Sequence, residues 1–245
     1  MRQTDTPTSS WSSLYRVAAV AALTFMMYSL VTMVLVFAIG GQPESASEAF
    51  DMLEGNRLIG LLRLDALTLL IIPFYYPIFL GIYVALKKHQ AAYATLGALL
   101  AFAGVTLFLA TPSAIPWLAL SDKFAAATTA AQREQLLGAG EALLVSDMFH
   151  GSGAMIGGVL MLVAAVVLSA LMLRSEAFGR ATAYVGIASH GLDLLRVFLS
   201  IFAPLASVWI MAVAGPLYLV WFPLLARDFL RLGRNNGVEI SGSIQ

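Results

Sequence analysis

Apolar residues run along this chain in long, nearly unbroken stretches, separated by short breaks that carry charge, Pro or Gly. Six stretches stand out, at about Tyr15–Ile39, Leu64–Leu86, Ala91–Ala110, Met148–Leu173, Ala181–Ile201 and Val208–Leu230. Each reaches the ~20 residues that a helix needs to cross a hydrocarbon core ~30 Å thick. The pattern predicts an all-α, polytopic membrane protein with six transmembrane helices. Pro73 and Pro77, one turn apart in FYYPIF, predict a kink near the middle of the second helix.

The connections are of two kinds. Those at Lys87-Lys88 and at Arg174 to Arg180 are minimal, whereas Gly40 to Arg63 and Thr111 to Ser146 are long enough to have structure of their own. Ser45-Ala-Ser-Glu48 and Thr129-Ala-Ala-Gln132 match the capping box, in which a hydroxyl and a side chain three residues later satisfy free N–H groups at a helix start. After the second box, Leu136, Leu137, Leu143 and Leu144 recur on one face, with Arg133, Glu134 and Glu141 on the wet side. Both long connections are therefore expected to carry short amphipathic helices over the helix ends, and Arg63 to snorkel toward the interface. The polar residues 1–13 predict a disordered N-terminus and 235–245 a flexible tail, flanking a single transmembrane domain over 14–234.

Composition strengthens the membrane reading: 60% of the 245 residues are hydrophobic and mean hydropathy is +0.84, against roughly 45–50% apolar in soluble chains. The first stretch is too long for the apolar core of a cleavable signal and reads as a retained span. With the N-terminus placed in the cytoplasm, Arg2, Arg16, Lys87, Lys88, Arg174, Arg180, Arg227, Arg231 and Arg234 fall on the inner side. Arg57, Arg63, Lys123, Arg133 and Arg196 fall on the outer, nine against five of the 14 basic residues. Short basic loops set orientation, so both termini are expected in the cytoplasm. There are no cysteines, which excludes disulfides, thiolate metal sites and a Cys nucleophile.

Candidate chemistry sits inside the spans. A period of 3.6 places Gly186, Ser189, His190, Asp193, Arg196 and Ser200 on one stripe of the fifth helix. That stripe must turn away from lipid, since a charge at mid-membrane costs at least ~2.5–3.5 kcal/mol. In the fourth helix Asp147, His150, Gly153 and Gly157 form a second stripe, with Gly153 and Gly157 in a GxxxG pattern that lets helix backbones approach closely. In the second helix Asp65 shares a face with Thr68 and Ile72. Together these suggest a polar pocket open to the outer face, with His190, Asp193 and Arg196 at its base and Asp147, His150 and Asp65 near its mouth. Arg196 has Asp147 or Asp65 as possible partners; the structural alternative is that Asp193 and Arg196 satisfy each other in a dry bundle.

A metal shared by the two histidines is disfavoured, because the spans put His190 and His150 roughly 15 Å apart in depth at 1.5 Å per residue. No cofactor is expected. Phosphate loops, nucleophile elbows and HExxH are absent, and nothing supports nucleic-acid binding. Three functional readings follow: a pocket that binds a small solute or relays protons, an intramembrane enzyme using His190 and Asp193 as an acid–base pair, or a structural or partner-binding subunit. The expected partners are a lipid bilayer and a small solute or proton.

The stretches NRLIGLLRLDALTLLIIPFYYPIFLGIYVALK and AAATTAAQREQLLGAGEALL resemble a group of bacterial multi-pass membrane proteins of unknown function, over most of Asn56–Arg234. The resemblance implies a bacterial inner membrane and a six-helix body. It implies no activity and transfers no site residues.

Overall fold

The computed structural model describes residues 7–242 apart from 65, 112–113 and 148–150, with side chains from 11 to 235. Every regular element among the described residues is helical. Helix α1 spans Pro7–Ile39, starting on a proline whose missing N–H is no loss in the first turn. It stops at Gly40, whose φ of 92° is the left-handed conformation that glycine supplies after a helix. Then follow α2 (Ala46–Gly55), α3 (Arg57–Arg63), α4 (Ala66–Ile71), a 3-10 turn at Ile72–Phe74 and α5 (Tyr75–Leu86). The turn falls on Pro73, where the ring removes a helical hydrogen bond, so the expected irregularity in the second span is present.

The chain continues through α6 (Ala91–Leu109), α7 (Ala114–Ala125), α8 (Ala130–Leu144), α9 (Ser152–Met172), α10 (Arg180–Phe202) and α11 (Pro204–Gly242). Helix α11 runs through Pro216 and Pro223 and well beyond its apolar stretch. Six helical stretches among the described residues are long and apolar enough to cross a membrane: Trp11–Ile39, Ala66–Leu86, Ala91–Ala125, Ser152–Met172, Arg180–Phe202 and Pro204–Asn235. Large apolar side chains such as Val34, Phe37, Phe198, Phe202, Leu205 and Trp209 stand exposed on them. Such a surface suits hydrocarbon and not water. The protein is a multi-pass, all-helical membrane protein.

The helices fall into two compact units. One comprises residues 28–73 and 105–158. Its centre is a small core of Phe50, Leu53, Leu64 and Trp117, with Phe124, Leu137, Leu143 and Leu144 packed against it. The two long connections thus share a core of their own, built from α2, α7 and α8, and the second connection contains two helices where one was expected. Thr129 and Gln132 form the reciprocal capping box at the start of α8. At α2 only half the expected box forms. Ser45 accepts the Glu48 N–H, but the Glu48 carboxylate accepts the N–H of Glu44 at 2.9 Å.

Arg63 accounts for the difference. Its guanidinium donates to the other Glu48 oxygen at 2.7 Å and to the Gly41 carbonyl at 2.7 Å, so it ties α2 to the chain leaving α1. Glu141, assigned to the wet side by its periodicity, accepts the Ala46 N–H at 2.8 Å and so caps α2 from α8. Charge at a helix N-terminus is favourable there for the usual dipole reason.

The other unit comprises residues 1–27, 74–104 and 159–245. Its core includes Ile78, Phe79, Ile82, Leu168, Trp221, Phe222, Leu225 and Phe229. Gly97 permits one close approach: a Cβ there would sit 2.8 Å from Leu168 side-chain carbons. At one end of this unit, Ser12 donates to the Gly233 carbonyl at 2.7 Å, Lys87 lies 4.7 Å above the Trp11 ring, and Arg231 donates to the Ala177 carbonyl at 2.7 Å. The start of α1, the ends of α5 and α11 and the loop before α10 are therefore neighbours. This is the end that gathers Arg16, Lys87, Arg227, Arg231 and Arg234.

A polar lane along helix ten

Helix α10 is apolar outside and polar inside. Tyr184, Leu195 and Phe198 are exposed, whereas Thr182, Gly186, Ser189 and His190 are buried. The stripe expected from the 3.6 period is present and is turned from the surface through His190; Ser200, at its far end, is exposed and donates to the Val197 carbonyl.

The His190 ring is fixed by its own helix. Nδ1–H donates to the Gly186 carbonyl at 2.8 Å, and Ser189 Oγ lies 3.2 Å from the same nitrogen. In the neutral ring this leaves the lone pair on Nε2. Tyr218 and Trp221 of α11 meet the ring edge-on, at centroid distances of 5.0 and 4.5 Å. One turn further, Asp193 accepts from Arg196 Nε at 2.5 Å through one oxygen and from the Tyr218 hydroxyl at 3.1 Å through the other. The Asp193 and Arg196 side chains are 22% and 29% exposed. Arg196 therefore finds its partner at i−3 on its own helix, where the spacing brings the two side chains together.

Gly186 is where three helices converge. A Cβ on it would lie 2.4 Å from Ser169 Oγ of α9 and 2.6 Å from Trp221 Nε1 of α11. Both atoms are buried, and neither has a hydrogen-bond partner among the described residues. A buried donor left unmade costs about 1–3 kcal/mol, so two of them at one point call for an explanation.

Below Gly186, the Thr182 hydroxyl donates to Asp228 Oδ2 at 2.6 Å, and the Gly179 N–H donates to the same oxygen at 2.8 Å. Asp228 is 1% exposed. It caps the start of α10 from α11, with Arg227 and Arg231 at 3.3 and 3.9 Å from its other oxygen. Thr182, Gly186, His190, Asp193 and Arg196 thus form a lane of about 21 Å at 1.5 Å per residue.

Comparison of the chain with protein-family models, with curated proteins and with solved structures returns no match.

Of the residues singled out from the sequence, Ser189, His190, Asp193 and Arg196 lie together in this unit. Asp147 is buried in the other unit, as is Gly157. Gly153 belongs there too, and a Cβ on it would come within 2.7 Å of Thr111 Cγ2, so its bareness admits that neighbour. Asp65 and His150 lie outside the described residues, so the expected mouth of the pocket is not described. Among the described residues no group of three or more His, Asp or Glu is gathered as a metal would need. Sequence reasoning missed Ser169, Thr182, Tyr218, Trp221 and Asp228. One further turn of the stripe would have reached Thr182, and a lone acid between Arg227 and Arg231 in LLARDFLRL points to Asp228.

Proposed function

We propose that this protein relays protons along the inner face of α10, between the Asp193–Arg196 pair and the Asp228 end of the lane. The observation that carries the reading is the pair of unpartnered groups, Ser169 Oγ and Trp221 Nε1, converging on Gly186 between the buried Asp228 and the half-buried Asp193. At Gly186 the helices approach so closely that even a methyl would meet Ser169 Oγ at 2.4 Å, which excludes a solute from that point of the lane. A water bridging Ser169 Oγ and Trp221 Nε1 from the side away from Gly186 would satisfy both groups and supply a link that a relay needs. His190 contributes an acceptor nitrogen beside Tyr218, whose hydroxyl proton is already directed at Asp193. The relay would operate in the inner membrane of a bacterium, with both termini in the cytoplasm.

A packing role is the competing reading, and it has an observation of its own: both Asp193 oxygens are occupied. Ser169→Ala separates the two. The full-length protein is reconstituted in liposomes carrying a pH-sensitive dye, and proton flux is followed under an imposed pH gradient. The relay predicts flux in the native protein, loss in Asp193→Asn and His190→Phe, and a clear reduction in Ser169→Ala with undiminished thermal stability. Absence of flux in folded native protein, or native flux in all three folded variants, sinks the relay. The second outcome leaves Asp193 and Arg196 as packing residues.

A further inference from the structure

At the basic end of the same unit, α1 and α11 border an open cleft of about 440 Å³. Its lining sorts by chemistry. Leu23, Pro223, Ala226 and Leu230 line an apolar part, and Arg227, Arg231 and Arg234 with Asn235 line the rest. The arginines follow one another at spacings of four and three, so they share one face of α11. Leu23 and Ala226 lie in candidate membrane-spanning stretches, and the arginines lie toward the C-terminal end of the stretch Pro204–Asn235, where the apolar run gives way to charge.

The charge in the cleft is poorly offset. Asp228 is the acid within reach, and it is buried with Oδ2 committed to Gly179 and Thr182. Arg227 and Arg231 remain 60% and 48% exposed despite their approach to it. Among the residues whose side chains are described, Arg234 has no acidic partner. Guanidinium forks match phosphate oxygens in pairs, and basic clefts at the ends of membrane helices attract anionic headgroups.

We infer that this cleft binds an anionic phospholipid, its phosphate held by Arg227, Arg231 and Arg234 and an acyl chain lying along Leu23, Ala226 and Leu230. The apolar floor beside the arginines is what favours a lipid over a free anion. The cleft adjoins the end of the proton lane at Asp228, which Arg227 and Arg231 approach, but the lipid inference rests on the cleft's own lining and not on proton relay.

The test uses the full-length protein in a mild detergent, with bound lipid counted by native mass spectrometry. It is titrated with phosphatidylglycerol or phosphatidylcholine, and phosphatidylglycerol binding is also competed with inorganic phosphate. Phosphatidylglycerol is expected to bind at least tenfold more tightly than phosphatidylcholine. Arg234→Gln, and then the double variant Arg227→Gln/Arg234→Gln, are expected to weaken it by roughly fivefold per arginine removed. Arg231 is left in place because it also holds the loop before α10. Circular dichroism and melting check that each variant is folded; should the double variant fail that check, Arg234→Gln alone decides. Leu23→Trp, which fills the apolar part, is expected to weaken lipid binding with the arginines intact. Equal binding of the two lipids overturns the inference. So does displacement by millimolar inorganic phosphate, which would indicate a free-anion site, or undiminished binding by folded Arg234→Gln.

Discussion

The two units hold their charges in opposite ways. In the unit built around Phe50 and Trp117, Arg57 pairs with Asp122 while both side chains stay 56% and 66% exposed. In the other unit Asp228 is withdrawn almost wholly and satisfied by a backbone N–H and a hydroxyl from a different helix. An exposed pair can break without cost because water takes over both partners. A withdrawn carboxylate has no such substitute, so its donors fix where α10 starts relative to α11. The first unit draws its stability from aromatic packing, with Phe50 5.7 Å from Trp117 and 4.5 Å from Phe124 between centroids. In the second, much of the helix surface faces lipid, which is as apolar as the side chains themselves, so hydrogen bonds and close packing must decide which helices meet.

This contrast is broken most severely at Asp228. Asp228→Ala strands the Gly179 N–H and the Thr182 hydroxyl, and the loss is expected at about 3 kcal/mol, since bonds to a charged acceptor contribute about 1.5–3 kcal/mol each. Denaturant unfolding of the detergent-solubilised protein measures it. A loss under about 1 kcal/mol would mean that water reaches the site and takes over the stranded donors. The corresponding break in the aromatic core is Gly140→Ala. The added Cβ would fall 2.6 Å from the Ala46 Cβ and 3.2 Å from Phe50, and an alanine methyl cannot rotate aside. Overpacking of that sort costs about 1–3 kcal/mol. Proteolysis should begin in α2 or α8, so a nick confined to α10 would contradict the assignment. The smallest of the three effects belongs to Arg57→Ala, expected within about 0.5 kcal/mol of the native protein. If it matches Asp228→Ala, exposure is not what separates the two sites.

The same contrast decides what was legible in the sequence. Thr129 and Gln132 could be read because a capping box is local, with donor and acceptor three residues apart. The α10 stripe could be read because a helix repeats every 3.6 residues and charge cannot face lipid. Asp228 could be placed near a membrane surface, but its partners Gly179 and Thr182 lie 49 and 46 residues away. No periodicity links such positions. Ser169 and Trp221 were invisible for the same reason, since each is an ordinary residue in an apolar run until Gly186 brings them together. Glu48 misled the reading of its cap because Arg63, 15 residues on, competes for the carboxylate.

Glu48 also gives the comparison a pH axis. The Glu44 N–H, and then the Arg63 guanidinium, hold its carboxyl below the ordinary carboxylate range. A folded-state pKa below the unfolded one adds stability that is present above the unfolded value, near 4.3, and is lost as pH falls through the folded value. Melting followed from about pH 6 to about pH 3 should therefore show native protein losing part of its advantage over Glu48→Gln on the acid side. The effect is expected to be small, because the carboxylate is 38% exposed and water screens it. Added salt should shrink only the lesser, Coulombic part of the Arg63 share, since the contact hydrogen bonds from the Glu44 N–H and the Arg63 guanidinium are less screened. A Glu48→Gln difference that grows toward acid pH would reverse the sign of the argument, and would place the Arg63 contact, not the carboxylate charge, in control of how α2 begins.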